Sequence, residues 1–128
     1  MNDKTILVVD DEREFLEVIK LRLEANNYDV ITASDGKEGL LKMRQENPDA
    51  VLLDIMMPGI DGLKVLKNIR KENKDLPIFI LTAYSDQKRF DKAKGLKASG
   101  FIVKTGDLSK EIENINSVLN MSEKYRPE

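Results

Sequence analysis

Short apolar runs alternate with stretches in which apolar residues recur every three or four positions, and the alternation continues almost to the end of the chain. Thr5 to Val9 is β-branched and apolar up to Asp10-Asp11, so it reads as a buried strand. Phe15, Val18, Ile19 and Leu23 then recur at helical spacing as far as the breaker Asn26-Asn27. Tyr28 to Ala33 is a second strand, closed by Ser34-Asp35-Gly36, and the next helix runs through Leu40 and Met43 to stop before Pro48. Ala50 to Leu53 is a third strand ending in Asp54, after which Met57-Pro58-Gly59 and Asp61-Gly62 predict a turn-rich loop. Leu63, Leu66 and Ile69 mark another helix, and beyond Pro77 a fourth strand, Ile78 to Leu81, ends at Thr82. Ser85 to Lys94 makes a poor helix, with only Phe90 and Ala93 on an apolar side. Phe101 to Val103 is the fifth strand, ending at Lys104, and Ile112, Ile115 and Leu119 line one face of a last helix.

Strands that each lead into a helix predict a parallel sheet covered on both faces, and the near-continuous apolar strands agree. Neither GxGxxG nor GxxxxGK[ST] occurs, so the dinucleotide and P-loop readings have no support. The expected fold is α/β: a flavodoxin-like (βα)5 doubly wound parallel sheet with strand order 2-1-3-4-5. Residues 1–121 form one domain in this reading, and 122–128 a polar, frayed tail or the start of a linker.

Composition narrows the chemistry. The net charge of −2 gives no basic field, so direct nucleic-acid binding is not expected. No apolar run reaches membrane-spanning length, and Met1-Asn2-Asp3-Lys4 leads straight into a strand with no signal peptide, so the expected location is cytoplasmic. Cysteine is absent, which excludes disulfides and thiol chemistry. Histidine is absent too, which excludes a Ser-His-Asp triad, a histidine base and phosphohistidine. Without either residue a metal site must use oxygen ligands, which points to Mg²⁺, Mn²⁺ or Ca²⁺.

The polar residues collect at strand ends. Asp10 and Asp11 end the first strand, Asp54 the third, Thr82 the fourth and Lys104 the fifth. Parallel strands place all their carboxyl ends on one edge, and strands one and three flank the switch point where ligands bind in open α/β sheets. Three acids gathered there repel one another unless a divalent cation joins them. Asp54 can then attack phosphorus as a nucleophile, while Lys104 offers fixed positive charge and Thr82 a hydroxyl donor. The plainer reading makes each aspartate a helix cap and the lysine and threonine surface residues. It has to be invoked at four strand ends at once, whereas Asp35-Gly36 and Asp61-Gly62 are well explained as turns and helix starts.

The runs Ile6-Leu-Val-Val-Asp-Asp-Glu12, Leu52-Leu-Asp-Ile-Met-Met-Pro-Gly-Ile-Asp-Gly62, Leu81-Thr-Ala83 and Phe101-Ile-Val-Lys104 resemble the receiver domains of two-component response regulators, over about residues 4 to 121. The resemblance implies a signalling phosphoacceptor rather than an enzyme. Asp54 would be the phosphorylated residue, and Asp10, Asp11, Asp54 and the backbone carbonyl of Met56 would hold Mg²⁺, or Mn²⁺ in its place. Thr82 would be the switch hydroxyl, Phe101 the aromatic that changes rotamer, and Lys104 the contact to the phosphoryl oxygens. The donor would be a sensor histidine kinase or phosphotransfer protein, with acetyl phosphate able to substitute. The output would pass through the α4-β5-α5 face to a protein target or a fused effector domain, from a single-domain regulator or from a receiver within a longer regulator or hybrid kinase.

Three features depart from that pattern or extend it. Thr105-Gly106 follows Lys104 where proline is usual, and a non-proline cis bond would cost about 3–4 kcal/mol, so a trans loop is expected. Met56 and Tyr84 stand two residues beyond Asp54 and Thr82, are bulky, and offer no group to position an attacking water; a slowly hydrolysed acyl phosphate is expected. Lys88, Arg89, Lys92, Lys94 and Lys97 make the weak helix basic, which reads first as a solvated face. The functional alternative is a docking surface for an acidic partner, or half of a phosphorylation-dependent homodimer whose acids include Asp107, Glu111 and Glu113. Two other readings compete. A haloacid-dehalogenase-type phosphohydrolase would carry its nucleophile on the first strand, with a second acid where Met56 stands. An unphosphorylated pseudo-receiver would not keep Asp10, Asp11, Asp54, Thr82 and Lys104 together.

Overall fold

The computed structural model describes residues 4–57, 61–82 and 87–124, with side chains to 120. Expectations at Pro58-Gly59, at Tyr84, at the start of the weak helix and at residues 125–128 lie outside the described residues. In chain order the elements are β1 (Lys4–Val9), α1 (Arg13–Ala25), β2 (Tyr28–Ala33), α2 (Gly36–Glu46), β3 (Ala50–Asp54), α3 (Gly62–Glu72), β4 (Ile78–Thr82), α4 (Gln87–Gly95), β5 (Gly100–Val103) and α5 (Leu108–Lys124). The sheet is parallel throughout in the order β2-β1-β3-β4-β5, as the alternation of patterns predicts. The last helix continues through Lys124, past the residue where the sequence pattern places the polar tail.

Side chains alternate along each strand, so the sheet builds two cores. On one face Ile6, Val8, Leu52, Leu81 and Ile102 pack against Phe15, Ile19 and Leu23 of α1 and Ile112, Ile115 and Leu119 of α5. On the other, Leu7, Val9, Leu53, Ile78 and Ile80 pack against Leu40 and Met43 of α2, Val65, Leu66 and Ile69 of α3, and Ala93 of α4. Asp35 caps α2 by accepting the Glu38 amide at 2.8 Å, and Glu38 returns a carboxylate to the Ser34 amide at 3.2 Å. Asp61 caps α3 by accepting the Lys64 amide at 3.1 Å. These are the roles that turn chemistry assigns to both Asp-Gly pairs.

Gly62 has a further reason to be glycine. A Cβ there would lie 2.3 Å from the Asp54 carbonyl oxygen and 2.4 Å from the Ile55 Cα. The first turn of α3 therefore rests directly on the backbone that carries Asp54, and only a residue without a side chain permits that approach.

Candidate functional site

Register brings the strand-end acids level with one another. Val9 pairs with Leu53, which sets Asp10 beside Asp54, and Asp54 itself pairs with Leu81, one residue before Thr82. Thr82 pairs with Val103, and the Lys104 amide donates to the Thr82 carbonyl at 2.7 Å, closing the row. Carboxylate oxygens of Asp10, Asp11 and Asp54 lie within 4.8 Å of one another, with Asp10 and Asp54 buried and Asp11 exposed.

The two buried acids end their strands in the same way. Asp10 Oδ1 accepts the Glu12 amide at 2.9 Å, and Asp54 Oδ1 accepts the Met56 amide at 2.9 Å. This local turn orients each carboxylate and leaves its second oxygen to face the crevice. Asp10 therefore does not cap α1; the N-cap is Glu12, which makes no side-chain cap bond. Asp10 Oδ2 is buried with no hydrogen bond among the described residues and lies against the Lys104 ammonium as an ion pair.

Lys104 reaches into the group from the end of β5. Its ammonium sits 3.7 Å from Asp54 Oδ2 and 3.1 Å from Glu12 Oε1, over the Phe15 ring at 4.6 Å from the centroid. Burial pushes the Asp54 carboxyl up to about 6, against the Met56 amide and the Lys104 charge, which pull it down. Burial likewise raises Asp10, with Lys104 and the Glu12 amide opposing. At Lys104 burial favours the neutral amine, but contact with Asp10, the Asp54 charge and contact with Glu12 outweigh it and raise the ammonium's pKa. Two buried carboxyls whose pKa burial raises, with the exposed Asp11 carboxylate beside them, are a donor set suited to a hard cation that prefers oxygen.

Register and alternation place the remaining expected residues on the sheet. Alternation places Thr82 on the side of Ile78 and Ile80, at the rim and partly exposed. Phe101 pairs with Ile80 and lies on that same side, across the sheet from Lys104, with its ring 4.2 Å from that of Phe90 on α4. Met56 is 55% exposed. Among the described residues no peptide bond is cis, so the Lys104–Thr105 bond is trans, as the missing proline predicts.

Two members of the expected charged surface are reassigned. Glu111 is buried, not outward-facing, and is raised by burial, with Lys104 the leading opposing charge, so it cannot serve as an exposed acid of a dimer face. Arg89 turns inward from α4, donating to the Ile55 carbonyl at 3.2 Å and lying 3.9 Å from Asp61. The sequence pattern assigns no role to Glu12 and marks Phe15 only as core. The available signal was position: both stand at the start of α1, directly after the strand-end acids.

Residues 6–116 match the sequence family described as the response regulator receiver domain. The chain is similar to the alkaline phosphatase synthesis transcriptional regulatory protein PhoP of Bacillus subtilis, with 39% identity over 127 residues, 98% of this chain and 52% of that protein. It is also similar to the response regulator ArlR of Staphylococcus saprophyticus, with 42% identity over 116 residues, 89% of this chain and 51% of that protein. The chain spans about half the length of the curated relatives it matches. Among solved structures, the response regulator TrrA of Thermotoga maritima, in complex with Mg²⁺-BeF, superposes with a TM-score of 0.77 at 40% identity, covering 91% of this chain and 99% of that one. The chemotaxis protein CheY4 of Vibrio cholerae gives 0.83 at 28% identity, covering 92% and 97%.

Proposed function

The chain belongs to the response regulator receiver domain family, and from that footing we propose that it accepts a phosphoryl group on Asp54 with a divalent cation held by Asp10, Asp11 and Asp54. The observation that carries the reading is the Asp54 carboxylate itself. It is buried, fixed through one oxygen by the Met56 amide, and set between two further acids and the Lys104 ammonium. Mg²⁺, or Mn²⁺ in its place, would draw on those three acids with the Met56 carbonyl and supply positive charge that offsets the repulsion between carboxylates and phosphoryl oxygens.

The chain's own residues do the rest. An Asp54 oxygen forms the new bond to phosphorus as the donor's nitrogen–phosphorus bond breaks, and the departing electron pair stays on the donor imidazole, which takes a proton. Lys104 lies close enough to stabilise charge on the transferring oxygens, and Thr82, at the rim one strand away, supplies a hydroxyl donor. Thr82 and Phe101 share the α4 side of the sheet, so a shift of Thr82 toward the phosphoryl group is felt by Phe101 and its stacked partner Phe90. The α4-β5-α5 face would carry the signal, as in the family, to a protein target, to an effector domain or to a second phosphorylated copy. The transcriptional regulators among its longer relatives favour the effector domain.

The donor in this reading is a sensor histidine kinase or phosphotransfer protein in the cytoplasm. Among the described residues no helix is long and apolar enough to cross a membrane. Incubation with acetyl phosphate, followed by intact-mass spectrometry, tests the proposal. One phosphoryl adduct that requires Mg²⁺ and is absent from Asp54→Asn is expected. An adduct that persists in that variant would move the site elsewhere, and none at all would leave a pseudo-receiver.

A further inference from the structure

We infer that Glu12 is a positioning residue for phosphoryl transfer, holding the Lys104 ammonium against the Phe15 ring so that its remaining donor points at Asp54. The inference rests on the phosphoacceptor reading of Asp54 and adds a residue to it.

The backbone at Lys104 is held, its amide donating to the Thr82 carbonyl at 2.7 Å, but that fixes only where the side chain starts. Thr105 and Gly106 replace the usual proline, and both are exposed. Gly106 has φ +89° in open space, and the Asp107 amide donates to Thr105 Oγ1 at 3.2 Å, so the loop is tied to its own residues and not to the ammonium. Lysine adds a flexible four-carbon stem ending in three rotatable donors. Something other than the loop must therefore fix the ammonium, and the start of α1 provides it. Glu12 Oε1 accepts from the ammonium at 3.1 Å, and the Phe15 ring lies beneath it at 4.6 Å. With Asp10 taking a second contact, the third side of the ammonium faces Asp54 Oδ2 at 3.7 Å.

Glu12 differs from the other acids around the lysine in two respects. It stands outside the set whose oxygens converge within 4.8 Å, so it is not drawn on by a cation held there. Its side chain is also 66% exposed and meets Lys104 through its carboxylate, so its replacement leaves the core untouched. Once Asp10 serves a cation, Glu12 is the acid left to hold the lysine by contact. The hydrogen-bonded carboxylate restricts the stem before reaction, which lowers the ordering cost at the moment of transfer.

The test compares wild type, Glu12→Gln, Lys104→Met and the double variant, timing adduct formation from acetyl phosphate with Mg²⁺ by intact mass. Glu12→Gln is expected to melt with wild type and to react about fivefold more slowly, the loss of one charge-assisted contact. In the Lys104→Met background the same change is expected to have no effect, because the residue acts only through the lysine. A second readout needs neither metal nor phosphoryl donor: acylation of Lys104 by acetic anhydride, mapped by mass, should be faster in Glu12→Gln. Wild-type rates and labelling in Glu12→Gln would overturn the inference, as would equal slowing in the presence and absence of Lys104. A wild-type chain that forms no adduct would overturn the phosphoacceptor reading instead.

Discussion

Helices α3 and α4 cover the same face of the sheet, yet they are attached in different ways. α3 buries Gly62, Val65, Leu66 and Ile69 and rests its first turn on the Asp54–Ile55 backbone. α4 buries only Ala93, supplemented by the Phe90–Phe101 stack and the Arg89 bond to the Ile55 carbonyl. A helix held by several buried aliphatic side chains moves as part of the core. One held by a single alanine, an aromatic pair and a partly exposed guanidinium can shift without opening the core. In the proposed function a phosphoryl group on Asp54 would thereby have a directed effect: the side toward α3 is fixed, and the side toward α4 can give.

The contrast is most open to attack at Gly62. Gly62→Ala forces a methyl group into backbone and is expected to cost about 3 kcal/mol or more in urea unfolding, displacing the loop after Asp54. A cost near that of an ordinary helix substitution would mean α3 is not anchored there. Next, Leu66→Ala should lose about 3 kcal/mol, whereas Phe90→Ala, on a half-buried ring, should lose about 1 kcal/mol. Equal losses would erase the distinction between the helices.

Asp54, on the fixed side, gives a pH-dependent prediction. Its folded pKa of about 6 lies above the ordinary value of 3.8, so between those values the folded chain keeps a proton that the unfolded chain has released. Stability conferred by the protonated form is full below the window and lost as pH rises through it. In EDTA, Asp54→Asn should therefore be more stable than wild type at pH 7, by up to about 3 kcal/mol, and the advantage should vanish toward pH 4. A constant difference across pH would mean that Asp54 is not held in a dry site. Arg89→Met should have the smallest global effect, below about 1 kcal/mol, since the lost bond is partly exposed. Its hydrogen exchange should quicken in α4 and leave α3 unchanged.

Most of the fold was legible because the strands are apolar on both faces and four of the five end in a distinctive polar residue. Strand order followed from topology, and register then brought Asp10, Asp11, Asp54 and Lys104 together. What the pattern could not yield was direction. Phe15 has the spacing of a core residue and is one, yet its ring also lies under the lysine. Arg89 and Glu111 look like exposed charges in a polar helix, and each turns inward because a neighbouring element offers a partner or a dry space. Glu12 was hidden by its position next to a more conspicuous acid pair.

In the proposed function, with α3 and α4 held so differently, phosphorylation of Asp54 would be read out on the weakly held side of the site. Hydrogen exchange followed by mass spectrometry, on the chain with and without acetyl phosphate and Mg²⁺, tests this directly. Altered exchange is expected in α4 and β5, none in α3, and no change at all in Asp54→Asn. Equal changes in α3 and α4, or an α4 response that survives in Asp54→Asn, would contradict it.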